Sequence, residues 1–350
     1  PPSLPRSSTT SASASTTTSA SCSQVTSGGS DIAGFDFGCT IDGACVTGGQ
    51  VPPLTQYSSI DGAGQMQHFF SKGMNTFRLP VGWQFLTPTL GGTLDATNWE
   101  KYDALMQTCL NTGAYCIIDI HNYARWNGDI VGQSNGAVTN AHFVSLWTQI
   151  ATKYASNSRI GFGLMNEPHD LLDVNIWAAT VQEVVTAIRN VGATSQRIFM
   201  PGNDWTSAED FINNGSAAAL SNVKNPDGSI TGLIFDVHKY LDEDNSGGHV
   251  ECVTDNIQSS FLPLSRWLRC HGRQAVVTET GGGNVQSCVT HMCSQLSFLK
   301  HNSDVFLGYT GWAAGAFPHT YELSEVPIDN QGTLQDTLLV ENCLYQQNLP

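Results

Sequence analysis

Two glutamates in this sequence follow short apolar runs and have neighbours suited to catalysis. Glu167 lies in "FGLMNEPHD", between Asn166 and Pro168, and Glu279 lies in "VVTETGGG". Two carboxyl groups that flank a glycosidic bond can hydrolyse it, one as proton donor and the other as nucleophile or base. Burial keeps the donor protonated, whereas hydrogen bonds keep its partner ionised. The sequence predicts that Glu167 and Glu279 form such a pair.

Pro168 indicates where the strand before Glu167 ends. Proline lacks the backbone N–H that a sheet requires, and it disfavours the right-handed helical conformation of the residue before it. We therefore expect an extended Glu167 at the end of its strand, with the carboxyl group facing a cleft.

Polar or aromatic side chains also lie at the ends of nearly all the remaining apolar runs. A single one would more often be a cap or a turn residue, but a whole set at strand ends predicts a shared site. We expect Arg78 and Tyr240 to hydrogen-bond one of the glutamates. Tryptophan rings offer flat apolar faces for sugar rings, and Trp83 and Trp126 are further candidates for this role. The strand-end residues are Arg78, His121, Asn122, Asn166, Asn203, Asp204, Trp205, His238, Tyr240 and Trp312.

The apolar runs alternate with longer stretches of helical periodicity, which predicts a parallel sheet covered on both faces. A first strand near residues 31–37 would bring the number of strands to eight, which favours a (β/α)8 TIM barrel with its active site at the carboxyl ends of the strands. No GxGxxG motif follows the first strand, and no P-loop occurs. The other strand candidates are residues 75–81, 114–122, 159–167, 196–202, 232–240, 274–280 and 305–312.

Composition narrows the possible partners. The chain of 350 residues carries a formal net charge of −15, so nucleic acid and anionic membranes are unsuitable partners. No apolar run approaches the roughly 20 residues of a membrane span. Charged residues make up only 13% of the chain, so neutral polar residues must cover the surface, which suits an extracellular protein that meets a neutral ligand.

Cysteine usage points to the same compartment. The ten cysteines form no CxxC pair and no zinc-type cluster, so disulfide bonds in an oxidising environment are expected. Residues 1–28 are rich in Ser, Thr and Pro, which predicts a disordered, O-glycosylated linker. Residues 29–350 would then form the catalytic domain.

Six motifs together resemble the fungal endo-β-1,4-glucanases of glycoside hydrolase family 5: "FRLPVGW", "DIHNYARWNG", "MNEPHD", "DVHKYLD", "TETGGG" and "GWAAG". The resemblance implies retaining hydrolysis of internal bonds in cellulose and related β-glucans, without a cofactor or metal. Glu167 would be the acid/base and Glu279 the nucleophile, with carboxyl groups about 5 to 5.5 Å apart.

The resemblance also implies roles for the surrounding residues. Arg78 would hold Glu279 ionised and oriented, with Tyr240 nearby. Asn166 would bind the sugar 2-hydroxyl, and Trp312 would stack on the sugar next to the scissile bond. The remaining polar contacts would come from His121, Asn122 and His238.

Further expectations follow from the same resemblance. The protein would be a secreted monomer, with a cellulose-binding module upstream of the linker. Four disulfides are implied, 39–45, 109–116, 252–288 and 293–343, and they leave Cys22 and Cys270 over. The region "SCSQVTSGGSDIAGFDFG" has polar residues and glycines where the family has a buried first strand. We therefore expect this strand to be short, poorly paired or absent, which would open the barrel.

Two other classes of protein compete with this interpretation. Asp119 and His121 could bind zinc or manganese in a metal-dependent hydrolase, although Arg125 nearby opposes a cation. A non-catalytic glycan-binding protein could use the same fold, but it would not need both glutamates. Within the enzyme class, β-mannan, mixed-linkage glucan or xyloglucan could replace cellulose.

Overall fold

Eight parallel strands form a closed barrel in the structure, a computed structural model that describes residues 27–55, 60–133 and 136–349. The strands neighbour one another in chain order, and β8 pairs with β1. The predicted (β/α)8 barrel is therefore confirmed. The strands are β1 Ser27–Ala33, β2 Thr76–Val81, β3 Tyr115–Ile120, β4 Ile160–Gly163, β5 Ile198–Pro201, β6 Leu233–His238, β7 Ala275–Glu279 and β8 Phe306–Gly315.

Helices follow the strands and cover the outside of the barrel. The longer ones are α1 Gly62–Ser71, α2 Ala96–Thr112, α3 Asn140–Tyr154, α4 Val174–Asn190, α5 Ser216–Leu220, α6 Leu262–His271 and α7 Gln286–His301. Short helical turns occur at Trp83–Leu86, Ile257–Phe261, Val340–Leu344 and Gln346–Asn348, and two small hairpins pair Arg125–Trp126 with Asp129–Ile130 and Ile328–Asn330 with Thr333–Gln335. No helix in the described ranges is both long enough and apolar enough to cross a bilayer.

Local sequence signals explain where the helices begin and end. The side chains of Asp61 and Asp95 cap α1 and α2 by accepting backbone N–H groups in the first turn. Gly113 ends α2 with a φ of 101°, a left-handed conformation that glycine adopts without strain. On α4, Val181, Val184, Val185 and Ile188 are buried at the three- and four-residue spacing of a helix that packs one face on the barrel.

The barrel interior changes from apolar to polar along the strands. An apolar cluster of Ile117, Phe199, Ile234, Val276 and Leu307 lies near the strand starts. Because alternate residues of a strand share a face, the next inward positions are Asp119, Asp236 and Thr278, which are also buried. The polar layer lies on the side of the strand ends, and it supports the site.

The expectation of a defective first strand is wrong. β1 is almost fully buried and pairs along its length with β8 and over three residues with β2. The glycines, which led us to expect a defective strand, are in fact what allows β1 to pair. A Cβ on Gly29 would lie 1.6 Å from the Thr76 carbonyl oxygen of β2, so a residue with a side chain could not approach β2 this closely. Ser30 is also satisfied inside the barrel, where its hydroxyl donates to Glu325 Oε2 at 2.5 Å.

The expected linker lies almost entirely outside the described residues. Residues 1–26, including Cys22, belong to that part, while Ser27 and Gly28 already form β1. All four expected disulfides are present: Cys39–Cys45, Cys109–Cys116, Cys252–Cys288 and Cys293–Cys343. Cys270 is a free, exposed thiol.

Candidate active site

A cavity of about 530 Å³ opens at the carboxyl ends of the barrel strands. Six of the residues predicted from sequence line it: His121, Glu167, Trp205, Tyr240, Glu279 and Trp312. Arg78, Asn166 and His238 lie directly behind this lining and are hydrogen-bonded to it. The structure thus places nine of the ten proposed catalytic and substrate-binding residues in the cavity lining or directly behind it. Asn122 is the exception.

Glu279, the last residue of β7, has a surrounding that favours a carboxylate. Its Oε1 accepts a hydrogen bond from Arg78 Nη1 at 2.6 Å, and its Oε2 accepts one from the Tyr240 hydroxyl at 3.0 Å. Burial alone would lower the pKa of Arg78, but the charges of Asp119, Asp31 and Glu279 hold it well above its ordinary value. A fixed guanidinium therefore stabilises and orients the Glu279 carboxylate.

Glu167 has the opposite surrounding. Its Oε1 lies 2.7 Å from His238 Nδ1, and burial raises the pKa of Glu167 to about 7, although the charges of His121 and Arg78 oppose the rise. Oxygens of Glu167 and Glu279 lie within 4.8 Å of each other. One carboxyl group is thus suited to hold a proton beside another that accepts hydrogen bonds from a guanidinium and a phenol.

The backbone at Glu167 differs from our expectation. β4 ends at Gly163, and Glu167 has a φ of 38°, in the left-handed region rather than the extended one. Pro168 disfavours the right-handed helical region before it but leaves more than one alternative. Such a conformation costs about 1 to 3 kcal/mol and persists where the surroundings hold it, so the turn that aims this carboxyl group is strained.

Asn166 connects Arg78, which binds Glu279, with His121. Its Oδ1 accepts from Arg78 Nη2 at 2.7 Å, and its Nδ2 lies 3.2 Å from His121 Nε2. His121 Nδ1 lies 2.8 Å from Asp119 Oδ2. These contacts fix which end of the Asn166 amide faces each neighbour, so the amide N–H group lies on the His121 side.

Asn122 is buried and does not line the cavity, so the structure gives no support to its expected role as a substrate ligand. Its Oδ1 accepts from the Trp83 backbone N–H at 2.7 Å, while its Nδ2 donates to Gln84 Oε1 at 2.7 Å and to the Gly43 carbonyl at 3.2 Å. The residue anchors the loops after β1 and β2, because the chain turns its side chain away from that of His121. Trp83 and Trp126 are buried in the core as well, so neither is a sugar platform.

Trp205 and Trp312 are the two tryptophans of the cavity. Trp205 is 38% exposed, and one face of its ring stacks on His169 at a centroid distance of 3.9 Å. Trp312 Nε1 donates to the Tyr321 hydroxyl at 3.1 Å, and the Trp312–Ala313 peptide bond is cis. Held indole rings of this kind can stack on the apolar face of a sugar.

Tyr123 and His169 also lie at the site, but they were not predicted from the sequence. Tyr123 lines the cavity and contacts Trp205 edge to face at 5.9 Å. The available signal was position, since Tyr123 directly follows the His-Asn pair and His169 follows Pro168. Tyr123 and Trp205 have φ values of 54° and 59°, and such left-handed turns give their side chains directions that strand alternation does not predict.

Among the residues that the structure describes, two groups of side chains have the donors that a metal ion requires. Donor atoms of Glu167, His238 and Glu279 lie within 4.8 Å of one another, but the Arg78 guanidinium at 2.6 Å from Glu279 opposes a cation there. Asp119 and His121, the pair considered for the competing metal-dependent hydrolase, bind each other, and Asp119 also contacts Arg78 at 3.1 Å.

The second donor group lies in the loop after β6 and contains Asp242, Asp244 and His249. Asp242 is buried and accepts backbone N–H groups from Gly247, Gly248 and His249 at 3.1 to 3.2 Å. These bonds give Asp242 a structural task, which is to fold the loop that borders the cavity.

Comparison with known proteins agrees with this geometry. The family model for cellulase (glycosyl hydrolase family 5) matches residues 43–315. The chain is 62% identical over 325 residues to endoglucanase EG-II of Hypocrea jecorina, covering 91% of this chain and 77% of that protein. It is 45% identical over 303 residues to the manganese dependent endoglucanase Eg5A of Phanerodontia chrysosporium, covering 86% and 75%.

A solved structure matches as well. The crystal structure of Cel5A (EG2) from Hypocrea jecorina (Trichoderma reesei) has a TM-score of 0.89 and 61% identity, and the match covers 93% of this chain and 99% of that one. Because the family model spans most of the chain and the identities are high over nearly its full length, this protein belongs to glycosyl hydrolase family 5, the cellulase family.

Proposed function

We propose that this enzyme hydrolyses internal β-1,4 bonds of cellulose and related β-glucans with retention of configuration. The observation that carries the proposal is the pair Glu167 and Glu279, with oxygens within 4.8 Å of each other and opposite surroundings. An inverting enzyme separates its carboxyl groups by about 6.5 to 9.5 Å to seat a water molecule. The shorter separation supports direct attack by one carboxylate.

The reaction has two steps in this proposal. Glu279 attacks the anomeric carbon while Glu167 gives its proton to the glycosidic oxygen, so the bond to the leaving sugar breaks and an ester to Glu279 forms. Water then attacks the same carbon as Glu167 takes its proton, and Glu279 leaves as a carboxylate. Two inversions at one carbon retain its configuration.

The cavity walls support a sugar polymer as substrate. Trp312 and Trp205 offer ring faces in the cavity, and His121 lines it with a polar ring that contacts Asn166 directly behind it. We assign the 2-hydroxyl contact to Asn166, since its amide N–H group lies on the side of His121, which lines the cavity. The names of the endoglucanase relatives favour β-glucan over β-mannan.

The test is a product profile on carboxymethyl cellulose, mannan and xylan, with NMR following the anomeric configuration. We expect fastest hydrolysis of the cellulose derivative and initial release of the β-anomer. Initial release of the α-anomer would refute retention. Glu279→Gln serves as the control, and unchanged turnover in that variant would instead favour a catalytic role elsewhere.

Manganese deserves a separate test because one relative is named as manganese dependent. We propose that the two proton-transfer steps here need no metal, since Arg78 supplies the positive charge beside Glu279. Activity on a soluble β-glucan should survive exhaustive dialysis against a chelator. Loss of activity that added Mn²⁺ restores would contradict this.

We also propose that the protein works outside the cell as a monomer, with the Ser/Thr-rich residues 1–26 as a linker and residues 27–350 as the catalytic domain, because Ser27 and Gly28 already belong to β1. Four disulfides and the Ser/Thr-rich stretch support this arrangement. Light scattering on the secreted protein would test it, and a stable dimer would contradict it.

A further inference from the structure

A chain of buried side chains continues inward from Glu167. Glu167 Oε1 lies 2.7 Å from His238 Nδ1, and His238 Nε2 lies 3.0 Å from the Thr278 hydroxyl. The Thr278 hydroxyl in turn donates to Asp236 Oδ1. Asp236 is 2% exposed and Thr278 is fully buried, so this chain is closed to solvent at its inner end.

The hydrogens of this chain can be assigned from its inner end. Thr278 has one hydroxyl hydrogen, and that hydrogen points to Asp236. The Thr278 oxygen can therefore only accept from His238, which requires an N–H at Nε2. A neutral imidazole carries one N–H, so Nδ1 has a lone pair and accepts its hydrogen bond from the Glu167 carboxylic acid.

We propose that Asp236 and Thr278 are positioning residues, which hold His238 in its Nε2–H tautomer and thereby keep the transferable proton on Glu167. In the other tautomer, Nδ1–H would donate to Glu167 and stabilise the carboxylate. The proposal rests on the proposed function of Glu167 as the acid/base.

The electrostatics of the chain agree with this assignment. Burial lowers the pKa of His238, against the opposing charges of Glu279 and Asp236, which favours a neutral ring. Burial raises the pKa of Asp236, but the charges of His238 and Arg78 and the hydrogen bond from Thr278 oppose that rise. His238 Nε2 is 4.0 Å from Asp236 Oδ1, too far for a direct hydrogen bond. Thr278 is therefore the required link.

Other groups that face Glu167 must be held constant in a test. Because Thr278 is uncharged, replacing it by the isosteric valine removes the hydroxyl link and leaves these groups in place. They are Arg78 from β2, Asp119 and His121 from β3, His169 after β4, Tyr240 and Asp244 after β6, Glu279 on β7, and Tyr123 after β3.

The experiment compares the pH dependence of kcat/KM on a cello-oligosaccharide for Thr278→Val and Thr278→Ser. With valine, the Nδ1–H tautomer becomes accessible, so the basic limb should move about one pH unit lower because Glu167 ionises earlier. Serine keeps the hydroxyl and should restore the limb. An unmoved basic limb in Thr278→Val, or one that serine fails to restore, would overturn the proposal.

A second measurement on the unmodified enzyme does not depend on how the variants fold. The ¹⁵N NMR shifts of His238 distinguish a ring protonated at Nε2 from one protonated at Nδ1. We expect the Nε2–H tautomer at pH 5 to 6, and an Nδ1–H tautomer would overturn the proposal. Full activity of Glu167→Gln would instead refute the acid/base assignment itself, so the two failures are distinguishable.

Discussion

At the scale of single residues, the site contains two glutamates whose different surroundings suit them to different tasks. Glu279 accepts from a guanidinium and a phenol, whereas Glu167 is partly buried against the His238 imidazole, whose pKa is lowered by burial. The first set of donors stabilises negative charge, and the second favours the protonated acid. These contacts support the proposed assignment of Glu167 as the acid and Glu279 as the nucleophile.

Replacing Glu167 by glutamine should separate substrates by their leaving group. Glu167→Gln removes the proton donor, so kcat/KM on a cello-oligosaccharide should fall roughly 10²- to 10⁴-fold. A dinitrophenyl cellobioside needs no protonation to leave, so its kcat/KM should fall much less. Steady-state kinetics on both substrates measure the contrast. Equal losses on both would count against Glu167 as the acid, and Glu279→Gln, inactive on both, is the control.

The pH dependence of activity should follow the proton on Glu167. Burial raises the pKa of this carboxyl group to about 7, so the acid form exists below that pH and disappears above it. We expect kcat/KM on a soluble β-glucan to decline on the basic side near pH 7. An activity that stays constant to pH 9 would mean that another group supplies the proton.

The sequence predicted most of the polar and aromatic residues near the strand ends, but it misjudged the turn that follows β3. His121 faces the cavity as expected, whereas Asn122, one residue later, anchors two loops. Tyr123 was missed although it lines the cavity. Strand alternation gives side-chain directions only while the chain is extended, and here left-handed residues begin at Tyr123.

At the scale of elements, the first strand explains why composition alone misleads. Its glycines and serine looked unsuited to a buried strand, yet β1 closes the barrel by approaching β2 more closely than a side chain would permit. The other seven strands were predicted within a few residues, since continuous apolar runs are typical of strands buried on both faces. Close backbone approach has no apolar signature, so it could not be predicted.

Gly29→Ala should therefore destabilise the barrel strongly. The new methyl group would lie 1.6 Å from the Thr76 carbonyl oxygen, so β1 and β2 must separate, and we expect a loss of at least 3 kcal/mol. Gly28→Ala is the matched control, because its nearest neighbour is the flexible end of Gln346 at 2.7 Å. Urea unfolding measures both variants, and similar midpoints would contradict the close approach.

At the scale of the whole molecule, the barrel concentrates acidic groups around a single arginine. Burial raises the pKa of Asp31 well above its ordinary value, and Arg78 offsets this only in part. For Asp119, the charge of Arg78 and the hydrogen bond from His121 outweigh burial, and its pKa is lowered. Arg78 is thus shared mainly by Asp119 and Glu279, which lets one buried cation organise the upper barrel.

Glu325 makes the stability of this arrangement depend on pH. Its Oε2 accepts from Ser30, its Oε1 has no hydrogen-bond partner among the described residues, and burial raises its pKa to about 8 from an ordinary 4.5. The folded state therefore holds this proton more tightly than the unfolded chain. Unfolding releases the proton between pH 4.5 and 8, so the free energy of unfolding should fall as pH rises, by at most about 5 kcal/mol from this group.

Glu325→Gln should remove the share of this pH dependence that Glu325 contributes, because an amide cannot ionise. The measurement is urea unfolding at several values between pH 5 and 8 for both proteins. Glu167, whose pKa is also raised, contributes with the same sign, so Glu167→Gln is measured alongside to isolate its share. A slope that Glu325→Gln leaves unchanged would mean that Glu325 is already ionised in the folded barrel, and that its buried charge is balanced by groups other than Ser30.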